Sequence, residues 1–343
     1  MKQEQLLFQY KYPIFYNVSK KNNLKFIDIC AGIGGFHLAL SSIGAECVFA
    51  SDINADCQKT YFTNFNMNVF GDINTINPVN IPNHDILCAG FPCQPFSVSG
   101  KQKGFDDDRG NLIFTIFNII KIKKPSVIFL ENVKQLKYHN KGETLLTIIS
   151  ELEKLDYKVS WSILNAKDFG VPQNRERIII IATKTKRFVF DNLNMNSNVI
   201  LEDILDPDGN FEYLNPSEYT IIENQKKQES GLIFAGYRNK DIRKNGVRPN
   251  TEHLSRVHKQ PNRIYSAKGV HPTIPSQETS GRFFIYHNNK VRRLTINECF
   301  KLMGFPNNFQ KVSSNSKLYN QIGNSVCVPM ITEIAMQIKN QFF

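Results

Sequence analysis

Between Leu24 and Ala182 the chain alternates short, unbroken apolar runs with longer segments whose apolar residues recur every three or four positions. The runs LKFIDIC, ECVFAS, DILCAG, SVIFLE, VSWSILNA and RIIIIAT are brief, rich in Ile, Val and Phe, and bounded by turn residues, so they predict buried strands. FHLALSSIG, ADCQKTYFTNF, NLIFTIFNIIKIKK and GETLLTIISELEKL carry helical spacing, with Gly44 and Pro125 as stop signals. Strand–helix alternation of this kind predicts an α/β fold, a mostly parallel Rossmann-like sheet with helices on both faces.

After about residue 190 the rhythm fails. DNLNMNSN is an Asn-rich connector, and the segment after it has scattered Gly and Pro with few periodic runs. This predicts a smaller, irregular, β-leaning module over 206–295. Helical spacing returns in TINECFKLMGF and in VPMITEIAMQIKNQFF, and the last helix is expected to pack back on the first domain. The predicted organisation is therefore a first domain from 1–205 plus 324–343, a second module at 206–295, and a hinge at 296–323. A chain of 343 residues is long enough for both parts.

Composition adds two constraints. With 41% apolar and 21% charged residues the chain reads as an ordinary soluble protein. No apolar stretch approaches the ~20 residues of a membrane span, and MKQEQLLFQYKYPIFYNVSKKNN lacks an apolar signal core. A cytoplasmic protein with no membrane partner is expected. The seven cysteines are odd in number, scattered and never in C-x-x-C spacing, which argues against a disulfide framework or a zinc site. The net charge of +11 is concentrated: positions 231 to 293 hold thirteen cations against three acids. A short charge run is ordinarily a solvated face. Here the cations spread through the whole module and alternate with Tyr, Phe, His, Asn and Gln, which suits a polyanion surface.

The candidate chemistry sits at strand ends. Asp28 closes the first strand and is followed by Cys30-Ala31-Gly32-Ile33-Gly34-Gly35-Phe36 and a helix. Glycines at such a turn let a ligand approach the backbone, with a helix N-terminus behind it. Asp52 closes the second strand, where a carboxylate can accept both ribose hydroxyls. Alone, the pair is compatible with NAD, with S-adenosylmethionine or with a tight turn. Gly71-Asp72-Ile73 adds a third acidic turn, placed to meet an adenine amino group. Next comes Gly90-Phe91-Pro92-Cys93-Gln94-Pro95-Phe96-Ser97, a cysteine between two prolines at the carboxyl edge of the predicted sheet. A single loop cysteine usually has no role. Glu131-Asn132-Val133 at the end of another strand, and Gln173-Asn174-Arg175-Glu176-Arg177 before a further one, change that reading.

FIDICAGIGGF, GDI, GFPCQPFS, ENV, QNRER and Gln321-Ile322-Gly323-Asn324-Ser325-Val326 together resemble the ordered motif series of the DNA cytosine-5 methyltransferases, over about 24–190 and 290–330. The resemblance implies the class I S-adenosylmethionine-dependent methyltransferase fold and methyl transfer to C5 of a cytosine flipped from a short duplex site. S-adenosyl-L-homocysteine is the implied product, and no metal is implied. Cys93 is then the nucleophile that adds to C6, Glu131 the group that protonates N3, and Arg177 and Arg175 orient the base and brace the site. Implied cofactor contacts are Asp28, Cys30, Gly32, Gly34, Gly35, Asp52, Ile53, Asp72, Ile73, Pro92, Leu112 and Asn324. Cys30 and Ile53 depart from the family, which often has aromatics there, so weaker stacking on the adenine is expected. The stretch Gln94 to Asn111, with Ser97, Ser99 and Gly100, resembles a loop that closes on the flipped base. In the basic module Arg263 is the candidate for a guanine contact, Gln260 for filling the vacated stack, and Thr273 for a phosphate. A monomer serving a bacterial restriction–modification system, with a cognate endonuclease as functional partner, is implied. An RNA cytosine-5 methyltransferase on the same scaffold, a non-catalytic DNA-binding protein and a nicotinamide-dependent oxidoreductase are the competing readings. The basic module favours duplex recognition, and Cys93 with Glu131 favours catalysis.

Overall fold

The computed structural model describes residues 24–91, 112–196, 198–240, 250–276 and 284–343. Cys93, Pro92 and Ser99, and the rest of the expected closing loop up to Asn111, lie outside the described residues.

All six apolar runs form strands of one sheet: β1 (Lys25–Ile29), β2 (Glu46–Ser51), β3 (Ile86–Gly90), β4 (Val127–Val133), β5 (Lys158–Asn165) and, after the two-residue strand β6 (Gln173–Asn174), β7 (Glu176–Thr183). Their spatial order is β2-β1-β3-β4-β7-β5. The first four run parallel, whereas β7 is antiparallel to both β4 and β5. The sheet separates two apolar layers, and single strands feed both. In β7, Ile179 and Ile181 enter one layer while Ile178, Ile180 and Ala182 enter the other. A run without polar interruptions is what burial on two faces demands.

The helices α1 (Gly35–Ser42), α2 (Ala55–Phe65), α3 (Leu112–Lys123) and α4 (Glu143–Lys154) match the four periodic segments. Beyond them come α5 (Ile296–Leu302), α6 (Asn315–Asn324) and α7 (Val328–Phe342). As expected, the last helix returns to the first layer, where α7 packs on α1 and Lys339 Nζ reaches the carbonyl of Ile43 at 3.1 Å.

The basic segment holds a second sheet, ordered β13-β12-β10-β9-β8. Its strands are β8 (Tyr219–Ile221), β9 (Phe234–Arg238), β10 (Arg263–Ser266), β12 (Phe284–His287) and β13 (Lys290–Arg293). Its own core is small: Ala235, Ile264, Phe284 and Val291. Two devices tie this segment to the rest of the chain. The short strand β11 (His271–Pro272) runs parallel to β6. Arg292 and Glu298, both buried, form a bidentate pair at 2.8 and 2.7 Å that ties β13 to α5.

Candidate active site

Strand registers bring the candidate residues to one edge. Ile29 of β1 is level with Ser51 of β2 and Ala89 of β3, and Gly90 is level with Glu131 of β4. The turn after β1, Asp52, the departure of the chain toward Cys93, and Glu131 therefore share the carboxyl edge. Because β7 is antiparallel it enters from that same edge, with Arg177 level with Val133.

Glu131 is 8% exposed and Arg177 9%, and Arg177 Nε lies 3.0 Å from Glu131 Oε1. Burial raises the Glu131 carboxyl above the ordinary carboxylate range, against the opposing pull of Arg177 and then Arg175. A Cβ on Gly90 would stand 4.0 Å from Glu131 Oε2, so the chain leaves β3 directly against this carboxyl. Asn132 Nδ2 donates to the carbonyl of Phe91 at 2.8 Å and fixes that point of departure. The motif containing Asn132 was legible in the sequence, but this role was not.

Arg175 has a different task. It is 1% exposed and donates to three backbone carbonyls: Nη1 to Ile274 at 3.1 Å, and Nη2 to Gly323 at 2.9 Å and Ser325 at 2.7 Å. Burial, then the nearby Arg177 charge, pulls its guanidinium down to about 9. Arg175 thus clamps the chain on both sides of Asn324 and the segment leading into the basic module. Gln173 works beside it, donating to the Leu302 carbonyl at 2.9 Å and accepting the Ile274 N–H at 3.0 Å. Replacing Arg175 with alanine leaves those carbonyls buried without their donor, at a cost on the order of 3–5 kcal/mol. The expected result is a lowered Tm in thermal unfolding, partly recovered by Arg175→Lys.

At the other end of the edge, Gly32 N–H donates to Asp52 Oδ2 and Asn54 N–H to Asp52 Oδ1, both at 2.8 Å. The three turn glycines are not equivalent. A Cβ on Gly32 meets nothing within 4 Å, whereas on Gly34 it would come 2.2 Å from Phe65 and on Gly35 2.6 Å from Val326. Gly32 thus faces open space, while Gly34 and Gly35 permit close packing behind the turn. The Gly34 N–H is also taken by the carbonyl of Ala31 at 2.8 Å.

Asp28 is fully buried behind this turn, and neither carboxylate oxygen reaches hydrogen-bonding geometry with a donor. Burial, with Asp52 adding to it, raises its carboxyl well above the usual range, and the backbone of His37 pulls the other way. Below it, His37 Nδ1 meets Tyr61 Oη at 2.7 Å, and burial holds His37 down to about 4. Asp28 was legible in the sequence, but its neighbours His37 and Tyr61 carried no signal there. Cys30 takes a left-handed backbone (φ 57) and its thiol is raised by burial, then by Asp52 and Asp28. Asp72 is exposed and caps Asn74 at 2.9 Å, Ile73 is buried, Leu112 begins α3 half-buried, and Asn324 ends α6 exposed. The accessible carboxylates of Asp52 and Asp72, an open glycine turn and apolar neighbours can hold a nucleoside-bearing cofactor.

In the basic module Gln260 is exposed, and half-buried Arg263 donates from Nε to the His258 carbonyl at 3.1 Å, which fixes the base of its guanidinium. Thr273 donates to the Asn174 carbonyl at 2.7 Å, so its hydroxyl proton is already used at the seam between the two sheets. Among the described residues there is no cluster of three metal-ligating side chains and no helix long and apolar enough to cross a membrane.

Known proteins fit this arrangement. The sequence model of the C-5 cytosine-specific DNA methylase family matches residues 24–340. The type II methyltransferase M.HhaI of Haemophilus parahaemolyticus is 39% identical over 326 residues, covering 92% of this chain and 94% of its own. M.HaeII of Haemophilus aegyptius is 38% identical over 316 residues, covering 92% and 93%. Among solved structures, the Entamoeba histolytica methyltransferase EhMeth superposes with a TM-score of 0.67 at 21% identity, covering 94% of this chain and 99% of its own. The S. pombe Dnmt2 methyltransferase gives 0.66 at 19%, covering 94% and 100%, and both support the fold. With its motifs in order and its acidic and basic residues gathered at one sheet edge, the chain belongs to the C-5 cytosine-specific DNA methylase family and is a DNA cytosine-5 methyltransferase.

Proposed function

We propose that the enzyme works through a transient bond between Cys93 Sγ and C6 of a cytosine swung out of duplex DNA. The observation that carries this reading is the buried Glu131–Arg177 pair beside Gly90, at the start of the loop bearing Cys93. The cytosine ring is a poor nucleophile at C5 until a thiolate adds at C6 and its electrons move toward N3 and C5. Glu131, raised by burial, supplies the proton at N3 as that charge develops. Arg177 fixes the direction of the Glu131 carboxyl. S-adenosylmethionine, when bound, supplies the methyl group that C5 takes. Loss of the C5 proton to a base then lets the C6–S bond break and restores Cys93.

Gly32 and Asp52, with Asp72, Ile73, Leu112 and Asn324, are the residues that would hold the cofactor. Asp28 and the glycines 34 and 35 support the turn from behind. The parts 1–205 with 324–343, 206–295, and 296–323 serve as catalytic domain, recognition module and hinge. Since the relatives are type II methyltransferases, we read this chain as a monomeric, cytoplasmic bacterial protein that protects short DNA sites from a cognate endonuclease.

A duplex carrying 5-fluorocytosine at the target should trap the protein covalently when S-adenosylmethionine is present, giving a complex stable to denaturing electrophoresis. No trapping at a site the enzyme methylates would exclude the Cys93 route. Bisulfite sequencing of DNA from expressing cells identifies that site. Contacts from the basic module to phosphates predict a steep salt dependence, with affinity for duplex DNA falling roughly 10³-fold or more between 50 and 200 mM salt if about six phosphates are met.

A further inference from the structure

Two large apolar side chains stand in solvent beside the cofactor turn: Ile53 is 78% exposed and Phe70 53%. Ile53 directly follows Asp52. Phe70 is pinned to the same strand end, its N–H donating to Ala50 O and its carbonyl accepting the Asp52 N–H, both at 2.9 Å, in a parallel bridge with Ser51. Its ring lies nearly parallel to that of Phe49, with centroids 5.0 Å apart and planes 17° apart. Phe49 belongs to the core, so the Phe70 ring is backed by packed protein while half of its surface stays open. Two residues further on comes Asp72. Phe70 therefore stands between the carboxylate assigned to the ribose and the one assigned to the adenine amino group.

Single exposed apolar residues are common on protein surfaces and need no account. A pair flanking two carboxylates at the ligand edge of an α/β sheet is a different matter, particularly when one ring is already stacked and has little freedom left to lose. Cys30 and Ile53 offer no π-face, although the family often carries aromatics at those positions. Resting on the cofactor reading above, we propose that Phe70 supplies the aromatic wall against which the adenine of S-adenosylmethionine packs, with Ile53 as its aliphatic neighbour.

Equilibrium binding of S-adenosyl-L-homocysteine, measured by calorimetry on the full chain without DNA, tests this independently of turnover. Phe70→Ala should weaken binding about 5- to 150-fold, the range for loss of an aromatic stacked on a base, while Phe70→Tyr should stay close to the parent. Phe70→Leu keeps the bulk over Phe49 and the path of the loop to Asp72 but lacks the π-face, so it should resemble Phe70→Ala. A thermal melt of each unliganded variant checks that the fold is intact. Phe70→Trp adds a direct readout. The native Trp161 lies on β5, at the opposite edge of the sheet from β2, so ligand-induced quenching of the added indole reports contact at the Phe70 site. Unchanged affinity in Phe70→Ala and Phe70→Leu, with no quenching in Phe70→Trp, would overturn the proposal. Parent protein that binds no S-adenosyl-L-homocysteine would remove the cofactor reading, and this inference with it. The two failures are distinguished by the parent titration alone.

Discussion

Replacing Cys93 with serine should abolish methyl transfer, lowering the rate roughly 10⁴-fold or more, the scale on which enzymes lose activity when a nucleophile is removed. A serine hydroxyl ionises far less readily than a thiol and cannot form the C6 adduct at neutral pH. Binding should survive, because the sulfur contributes little to the affinity of a basic module for phosphates. Labelled-methyl transfer paired with fluorescence anisotropy on the same duplex separates the two effects. Activity within tenfold of the parent would rule out covalent catalysis, and equal loss of binding would point to a misfolded loop. The structural basis lies just upstream: Asn132 holds the Phe91 carbonyl and Gly90 lies level with Glu131, so the cysteine loop leaves from a fixed point.

The second large effect is expected at Glu131. Glu131→Gln keeps the shape and a hydrogen-bonding group but cannot deliver a proton, and kcat should fall about 10²- to 10⁴-fold. The pH profile distinguishes this role from simple bracing. In the proposed role Glu131 acts in its protonated form, and burial extends that form above the ordinary carboxylate range. Its contribution is complete at low pH and is lost as pH rises through the raised value, while thiolate formation at Cys93 improves as pH rises. The parent should therefore show a bell-shaped kcat profile, and Glu131→Gln should lack the falling limb. A variant that is slower yet keeps the parent's alkaline limb would assign that limb to another group.

The six strands of the main sheet were legible because burial on both faces removes polar residues from a run. Their mostly parallel direction followed from the strand–helix alternation, but the reversal of β7 went unread, since an apolar run by itself has no direction. A clue was nonetheless present: VSWSILNA and RIIIIAT have no helical segment between them, and strands joined by a short connection pair antiparallel, as β5 and β7 do. The β-leaning character of the second module was legible, but its individual strands were not, because they span three to five residues, too few for a period to register. Helix α6 was hidden inside a motif read for its chemistry. Glu131 and Arg177, singled out by residue type and order, come together at the sheet edge, while Cys93 lies outside the described residues. The two arginines of QNRER looked alike, and only the break between β6 and β7 at Arg175 sends one to a carboxylate and the other into the seam.

That seam constrains how new specificities can arise. The chain at Ile274 and Pro275 lies between two strands of the second sheet, lends its Ile274 carbonyl to Arg175, and crosses α6 so closely that a Cβ at Gly323 would lie 2.3 Å from the Pro275 carbonyl. A second module borrowed from a cousin must reproduce that crossing, however freely its exposed loops vary. Chimeras cut inside 271–275 should express poorly, while exchanges that carry all five strands of the second sheet and leave 271–275 in place should keep the joint intact.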